Sequence, residues 1–189
     1  MFKTLIYERQ FETILSINKT KENDIMKIKT LTKTAIISAV YCILTLVLAP
    51  ISYGVVQFRV SEVMTVLPRF TKSSIIGLSI GCLLANYVGM AFMGSVGVVD
   101  VVFGTLATFL AAVCSYIFKK NKYLVALFPP LFNGIIVGGY LHFLVFENIN
   151  LICCILSVAL GEAVITYVMG IMLINYIEKN SRIGEIIND

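Results

Sequence analysis

From residue 73 to residue 177 the chain carries charge at few places: Lys119, Lys120 and Lys122 in one break, Glu147 in another, and two lone carboxylates, Asp100 and Glu162, inside apolar runs. A helix needs about 20 apolar residues to cross a hydrocarbon core of about 30 Å. Residues 73–93, 96–118, 123–146 and 151–177 each have that length. A further run, 35–49, is opened by the polar stretch 27–34 and closed by Pro50. Between these, residues 60–67 form a weakly apolar segment that ends at Pro68, read as a short or tilted second span. The pattern predicts an all-α membrane protein, a compact bundle of six transmembrane helices. With 189 residues, 58% hydrophobic and 14% charged, and a mean hydropathy of +0.90, there is no room for a soluble catalytic domain.

Basic residues mark the cytoplasmic ends of membrane helices. Six spans starting from an inside N-terminus place Lys27, Lys29 and Lys33, then Arg69 and Lys72, then Lys119, Lys120 and Lys122, then Lys179 and Arg182 on one side. The opposite segments hold Arg59 with Glu62, then Asp100, then Glu147. Dropping the weak second span reverses the later loops and loses the asymmetry, so the expectation is six spans with both termini cytoplasmic. Residues 26–180 form the transmembrane domain and 181–189 a cytoplasmic tail. Residues 1–25 mix charges with scattered apolar side chains and lack the apolar core of a signal peptide. They are either an N-terminal extension from an upstream reading frame or an amphipathic surface helix.

The net charge of +4 arises from 15 basic and 11 acidic residues. Their positions follow the loops, which argues against nucleic-acid binding. Cys42, Cys82, Cys114, Cys153 and Cys154 lie in apolar runs without Cys-x-x-Cys spacing and read as lipophilic fillers, implying no metal. Gly77, Gly81, Ala85 and Gly89 recur every four residues, as do Gly134 and Gly138, a spacing that lets helix backbones approach closely. Ala35 and Ala39 form a similar pair on the first helix.

Ionisable groups inside a bilayer cost about 2.5–3.5 kcal/mol each on insertion scales and usually face a site or pathway. The candidates are Arg59, Glu62, Asp100 and Glu162, with Asn86 and Asn133 as neutral partners. Counting from the outer end of its helix, Glu162 lies roughly 16 Å deep, near the midplane, and Asn133 reaches a similar level. Asp100, Asn86, Glu62, Arg59 and His142 fall in the outer half. Together they outline a cavity open to the outside and floored near mid-membrane. Each has a plainer reading. Arg59 and Glu62 pair with each other, Asp100 is a helix N-terminal carboxylate, Asn86 and Asn133 tie helices together, and His142 is an interfacial packing residue. No nucleophile elbow, zinc motif or phosphate-cradling loop is present, so an enzyme is not expected. The absence of a nucleotide-binding motif suggests a capture subunit energised by separate partners.

The run Leu48-Ala-Pro-Ile-Ser-Tyr-Gly-Val-Val-Gln-Phe-Arg-Val-Ser-Glu-Val-Met-Thr-Val-Leu-Pro68, with Gly81-Cys-Leu-Leu-Ala-Asn86, Asp100-Val-Val-Phe-Gly-Thr-Leu-Ala-Thr108, Pro130-Leu-Phe-Asn133 and Gly161-Glu162, resembles the QueT family. That resemblance covers about residues 27–177, and its most specific piece is Gln57-Phe-Arg-Val-Ser-Glu62. It implies a substrate-binding S-component of an energy-coupling factor (ECF) transporter in the bacterial cytoplasmic membrane. Such a subunit takes up a queuosine precursor, a 7-deazaguanine such as queuine or its biosynthetic precursors. It carries no cofactor of its own: ATP is used by two partner ATPase subunits, joined through a transmembrane coupling subunit that Ala35 and Ala39 would contact. A deazaguanine presents an N–H and an amino group side by side, a donor pair suited to one carboxylate, while its carbonyl needs a donor. Glu162 or Asp100 suits the first need, and Asn133, Asn86, Gln57 or Arg59 the second. Tyr53 and Phe58 suit stacking over the base, and Glu62 or Asp100 a charged aminomethyl group. The alternatives are an S-component for a different small vitamin or a ligand-free membrane scaffold.

Overall fold

The structure, a computed structural model, describes residues 2–52, 58–93, 97–145 and 148–188, with side chains described from residue 21 onward except at residues 92 and 93. In lipid every backbone polar group must find its partner within the protein, and the described residues form no strand. The first helix, α1 (Phe2–Val47), runs unbroken through the polar N-terminal stretch into the first span. Pro50 has no N–H to continue it. The chain tightens into the single turn α2 (Ala49–Ser52), where the Ile51 and Ser52 N–H groups both donate to the Leu48 carbonyl, at 3.1 and 2.9 Å.

Five segments among the described residues are long and apolar enough to cross a membrane: Lys21–Val47, Ser73–Ala91, Asp100–Ile117, Lys122–Leu144 and Leu151–Lys179. The expected second span is a 3-10 helix instead, Val60–Arg69. Ten residues at about 2 Å rise cover roughly 20 Å, short of the hydrocarbon core. Ser61, Glu62, Thr65 and Pro68 explain why it is no ordinary span, and why it is buried in protein on nearly every side rather than facing lipid. Its polar groups are met there: Thr65 donates to the Glu62 carbonyl at 2.5 Å, and Thr45 of α1 to Ser61 at 2.6 Å.

Around this central segment stand α3 (Ser73–Met93), α4 (Thr105–Ile117) entered through a π-helical turn at Asp100–Gly104, and α5 (Lys122–Leu144). The last span is α6 (Leu151–Val164) continued through a second π-helical segment, Ile165–Gly170, into α7 (Ile171–Lys179). Asn121 and Asn150 cap α5 and α6, each accepting from a backbone N–H two residues on. The glycine stripes do what their spacing implies. A Cβ on Gly81 would stand 2.8 Å from the Ser38 carbonyl of α1, and one on Gly138 2.6 Å from Ile155 Cα of α6. α1 thus lies against α3, and α5 against α6, at backbone contact.

Helix α5 contains Pro129 and Pro130, which deprive the carbonyls of Val125 and Ala126 of their usual helical donors. Hydroxyls from neighbouring helices replace both. Ser115 donates to the Val125 carbonyl at 3.2 Å and Thr166 to that of Ala126 at 2.9 Å. Two buried carbonyls that would each cost about 1–3 kcal/mol unpartnered are thereby satisfied, and the prolines become points of attachment between helices.

At the end bearing the basic loops, Arg69 donates to the Glu178 carboxylate through Nε (2.9 Å) and Nη2 (2.6 Å) and to the Lys119 carbonyl through Nη1. The tail is a short helix, α8 (Ser181–Ile187), folded back so that Ile183 and Ile187 pack on the core around Tyr41 and Leu67. Lys33 of α1 donates to its terminal carbonyls, Ile187 at 3.2 Å and Asn188 at 3.0 Å. Large apolar side chains such as Ile36, Ile43, Leu83, Phe109 and Leu160 are exposed on the outside of the bundle, where lipid rather than water meets them.

Gly138→Ala should lower the melting temperature of the purified protein, because its methyl group would collide with the α6 backbone. Gly139→Ala, whose added carbon meets nothing within 4 Å, should leave it unchanged. Equal effects in a thermal-unfolding assay would remove the close-approach explanation.

Candidate functional site

The N-terminal end of the 3-10 helix points its first polar side chains into the bundle. Arg59, in extended conformation, precedes it, and Glu62 lies in its first turn. Both are fully buried. The Arg59 Nη2 stands 3.7 Å from Asp100 Oδ2, and Tyr140 of α5 donates its hydroxyl to Asp100 Oδ1. From α3, Asn86 donates to the Asp100 backbone carbonyl at 3.0 Å. Gly104 makes this convergence possible, since a Cβ there would sit 2.9 Å from Asn86 Nδ2 and 3.4 Å from Asp100 Oδ1. The π-helical turn Asp100–Gly104 widens α4 where these groups meet, a placement common for π-bulges at functional sites.

Glu62 is gripped from one side only. Its Oε1 accepts from the Tyr41 hydroxyl and, at 3.5 Å, from Thr108, whose hydroxyl also lies 3.3 Å from Cys82 Sγ. The other oxygen, Oε2, has no hydrogen-bond partner among the described residues. Glu162 repeats this arrangement lower down. Its Oε2 accepts from Asn133 Nδ2 at 2.8 Å, while Oε1 and the Asn133 carbonyl oxygen are unpartnered among the described residues. Glu162 lies within electrostatic reach of both Glu62 and Arg59, so the two levels form one cluster.

The structure therefore brings together Arg59, Glu62, Asn86, Asp100, Asn133 and Glu162. The Arg59 ion pair is made with Asp100 rather than with Glu62. Asp100 does stand in the first turn of its helix, but its side-chain partners are Arg59 and Tyr140. Phe58 stands apart from the buried cluster: it is 37% exposed, and its N–H donates to the Ile51 carbonyl at 3.1 Å. Tyr53 and Gln57 lie outside the described residues. His142 bonds through Nδ1 to the Ile149 carbonyl at 2.7 Å, tying down the α5–α6 connection as an interfacial residue does.

Three participants are not singled out by the sequence pattern, Tyr41, Thr108 and Tyr140, and a fourth, Cys82, stands there only as an apolar filler. Cys82 is no mere filler, since it is buried against both Thr108 and Asn86. A signal for Tyr41 did exist. Thr34, Ser38, Tyr41 and Thr45 recur at helical spacing on α1 and are all buried, a polar stripe that lipid-facing residues would not make.

A model of the QueT transporter family matches residues 31–179. The chain belongs to the QueT transporter family. It is also similar to the queuosine precursor transporter QueT of Lactococcus lactis subsp. cremoris (strain MG1363), with 31% identity over 141 residues, 71% of this chain and 72% of that protein. No solved structure matches the chain. As a QueT-family member it is a transporter rather than an enzyme, and a multi-pass protein of the cell membrane. The family match encloses all six clustered site residues.

Tyr41→Phe should destabilise the fold by about 1–3 kcal/mol, because Glu62 Oε1 would keep only its long Thr108 contact. Thermal unfolding in detergent reads this directly, and an unaltered transition would show that the Tyr41 bond does not support the site.

Proposed function

We propose that this chain is the substrate-binding S-component of an ECF-type, ATP-driven importer. It captures a queuosine precursor, a 7-deazaguanine such as queuine or its biosynthetic precursors, from outside and delivers it through an energy-coupling module. The observation that carries this reading is the set of buried acceptors at the cluster: Glu62 Oε2, Asn86 Oδ1, Asn133 Oδ1 and Glu162 Oε1, none with a hydrogen-bond partner among the described residues. Each unsatisfied buried acceptor costs about 1–3 kcal/mol, so a protein that retains four is arranged for a ligand rich in donors. A 7-deazaguanine is such a ligand, with its ring N–H, exocyclic amine and pyrrole N–H. Its one carbonyl calls for a donor, which Arg59 supplies. The name of the Lactococcus relative points to the same chemistry.

The same reading takes the chain across the membrane six times. The second passage is the broken path from α2 through the 3-10 helix, running from the level of Asp100 at Arg59 to the level of Lys119 and Glu178 at Arg69. Both termini are then cytoplasmic, on the side of the basic loops. Ala35 and Ala39 are exposed on α1, while Thr34, Ser38 and Tyr41 on the opposite face are buried. This leaves a small-residue face for the transmembrane coupling subunit, whose two ATPase partners hydrolyse the ATP. The whole bundle is compact enough to tip as a body when it docks.

Glu162→Gln should weaken queuine binding by roughly 1.5–3 kcal/mol, the weight of a hydrogen bond to a charged group; unchanged affinity by calorimetry would remove Glu162 from the site. Ala35→Trp combined with Ala39→Trp should leave that affinity intact and abolish co-purification with the coupling subunit. Normal assembly of the double variant would refute the docking face.

A further inference from the structure

The last span carries an exposed apolar stripe. Val164, Val168, Met172 and Tyr176 recur every four residues along it, and all four are exposed. The stripe begins two residues past Glu162 and covers roughly 18 Å at about 1.5 Å per residue, close to the depth of one leaflet in a hydrocarbon core of about 30 Å. Tyr176 ends it, an amphipathic ring of the kind that settles at headgroup level. Lys179 and Arg182 follow, both exposed. With Tyr176, Asn180 and Ser181 they line a surface hollow of about 510 Å³.

These two cations differ from basic side chains nearby. At the same end of the bundle Arg69 is bound to Glu178, and Lys33 donates to the tail carbonyls. Lys122 donates to Asn175 at 2.9 Å, and Lys119 lies over the Tyr116 ring at 4.8 Å. Lys179 and Arg182 have no side-chain hydrogen-bond or ion-pair partner among the described residues. The acidic neighbours do not neutralise them. Glu178 is held by Arg69, and Glu185 lines a different hollow with Glu178, beside Phe70 and Gly184. A guanidinium and an ammonium left open side by side suit a phosphate, and the stripe leading to them suits an acyl chain.

We propose that this face of the last span is a site for one anionic phospholipid of the inner leaflet, with an acyl chain along Val164, Val168 and Met172 and the phosphate on Lys179 and Arg182. It goes beyond the proposed function and depends on neither the substrate nor the coupling subunit; only the choice of leaflet follows from the proposed topology. Charge complementarity selects the occupant. A zwitterionic lipid fills the stripe equally well but brings its own cation to the hollow, whereas an anionic one brings a net negative charge to two open cations, each worth about fivefold in affinity near a membrane surface.

The test adds phosphatidylglycerol or phosphatidylcholine with the same acyl chains to the delipidated full-length protein in a neutral detergent and measures bound lipid by native mass spectrometry. Phosphatidylglycerol should bind about 10-fold tighter or more. In Lys179→Gln combined with Arg182→Gln the two lipids should bind alike. Lys119→Gln combined with Lys120→Gln removes the same charge from another loop at that end and should leave the preference intact. The single variants Lys179→Gln and Arg182→Gln should each lower it about fivefold, so the outcome does not hang on the folding of one protein. Equal affinity of the two lipids for the unsubstituted protein would overturn the proposal. An equal loss in both double variants would overturn it too, in favour of a diffuse basic surface. Inorganic phosphate at the lipid's concentration should leave the bound lipid in place; its displacement would overturn the lipid occupant in favour of a small anion.

Discussion

A guanidinium with no exposed surface lies inside this bundle, and its position orders much of what surrounds it. Arg59 can be accommodated there only beside a countercharge and away from lipid. Asp100 supplies the countercharge, which requires the start of the fourth helical element to reach the head of the 3-10 helix. The widened turn Asp100–Gly104 and the missing side chain at Gly104 make that approach possible. The 3-10 helix itself is a consequence of the same constraint. A segment that carries Arg59, Ser61, Glu62 and Thr65 is stable at membrane depth only when wrapped by other helices, and α1, α3, α4, α5 and the last span, chiefly through Ile165–Gly170, provide the wrapping.

The helices are drawn in by small residues and tied by hydroxyls. Glycine at 81 and 138 brings backbones into contact where no side chain would fit. Serine and threonine take over the carbonyls that Pro129 and Pro130 leave open. Between lipid-facing surfaces hydrophobic burial drives association only weakly, and close packing with interhelical hydrogen bonds supplies the rest. The outcome is a scaffold packed closely enough to hold four acceptor oxygens that have no hydrogen-bond partner among the described residues, a state that a loosely packed core would relieve by collapse.

Most of this was legible in the sequence because lipid imposes stringent terms. Five spans stand out because a stretch that faces hydrocarbon must be long and apolar, and Arg59, Glu62, Asp100 and Glu162 stand out because charge is so costly there. Glu162 and Asn133, expected from their helix positions only to lie at a similar depth, share a 2.8 Å hydrogen bond. What the sequence did not disclose has the opposite physics. Tyr41, Thr108, Tyr140 and Cys82 are cheap to place in an apolar helix, so their presence carries little information until the fold aligns them with a carboxylate. The segment 60–69 has too few apolar residues to read as a full span and too many to read as a loop, and its 3-10 form follows from tertiary burial that periodicity does not encode. The pairing of Arg59 with Asp100 rather than with Glu62, three residues away, is likewise a product of topology.

The central claim is that the buried carboxylates and carboxamides hold a 7-deazaguanine. It is tested most directly by the mass spectrum of small molecules released from the gently purified protein, since tight capture carries a ligand through purification. The account predicts a 7-deazaguanine in amounts comparable to the protein. A spectrum without one, together with no thermal stabilisation on adding queuine or its precursors, would contradict it.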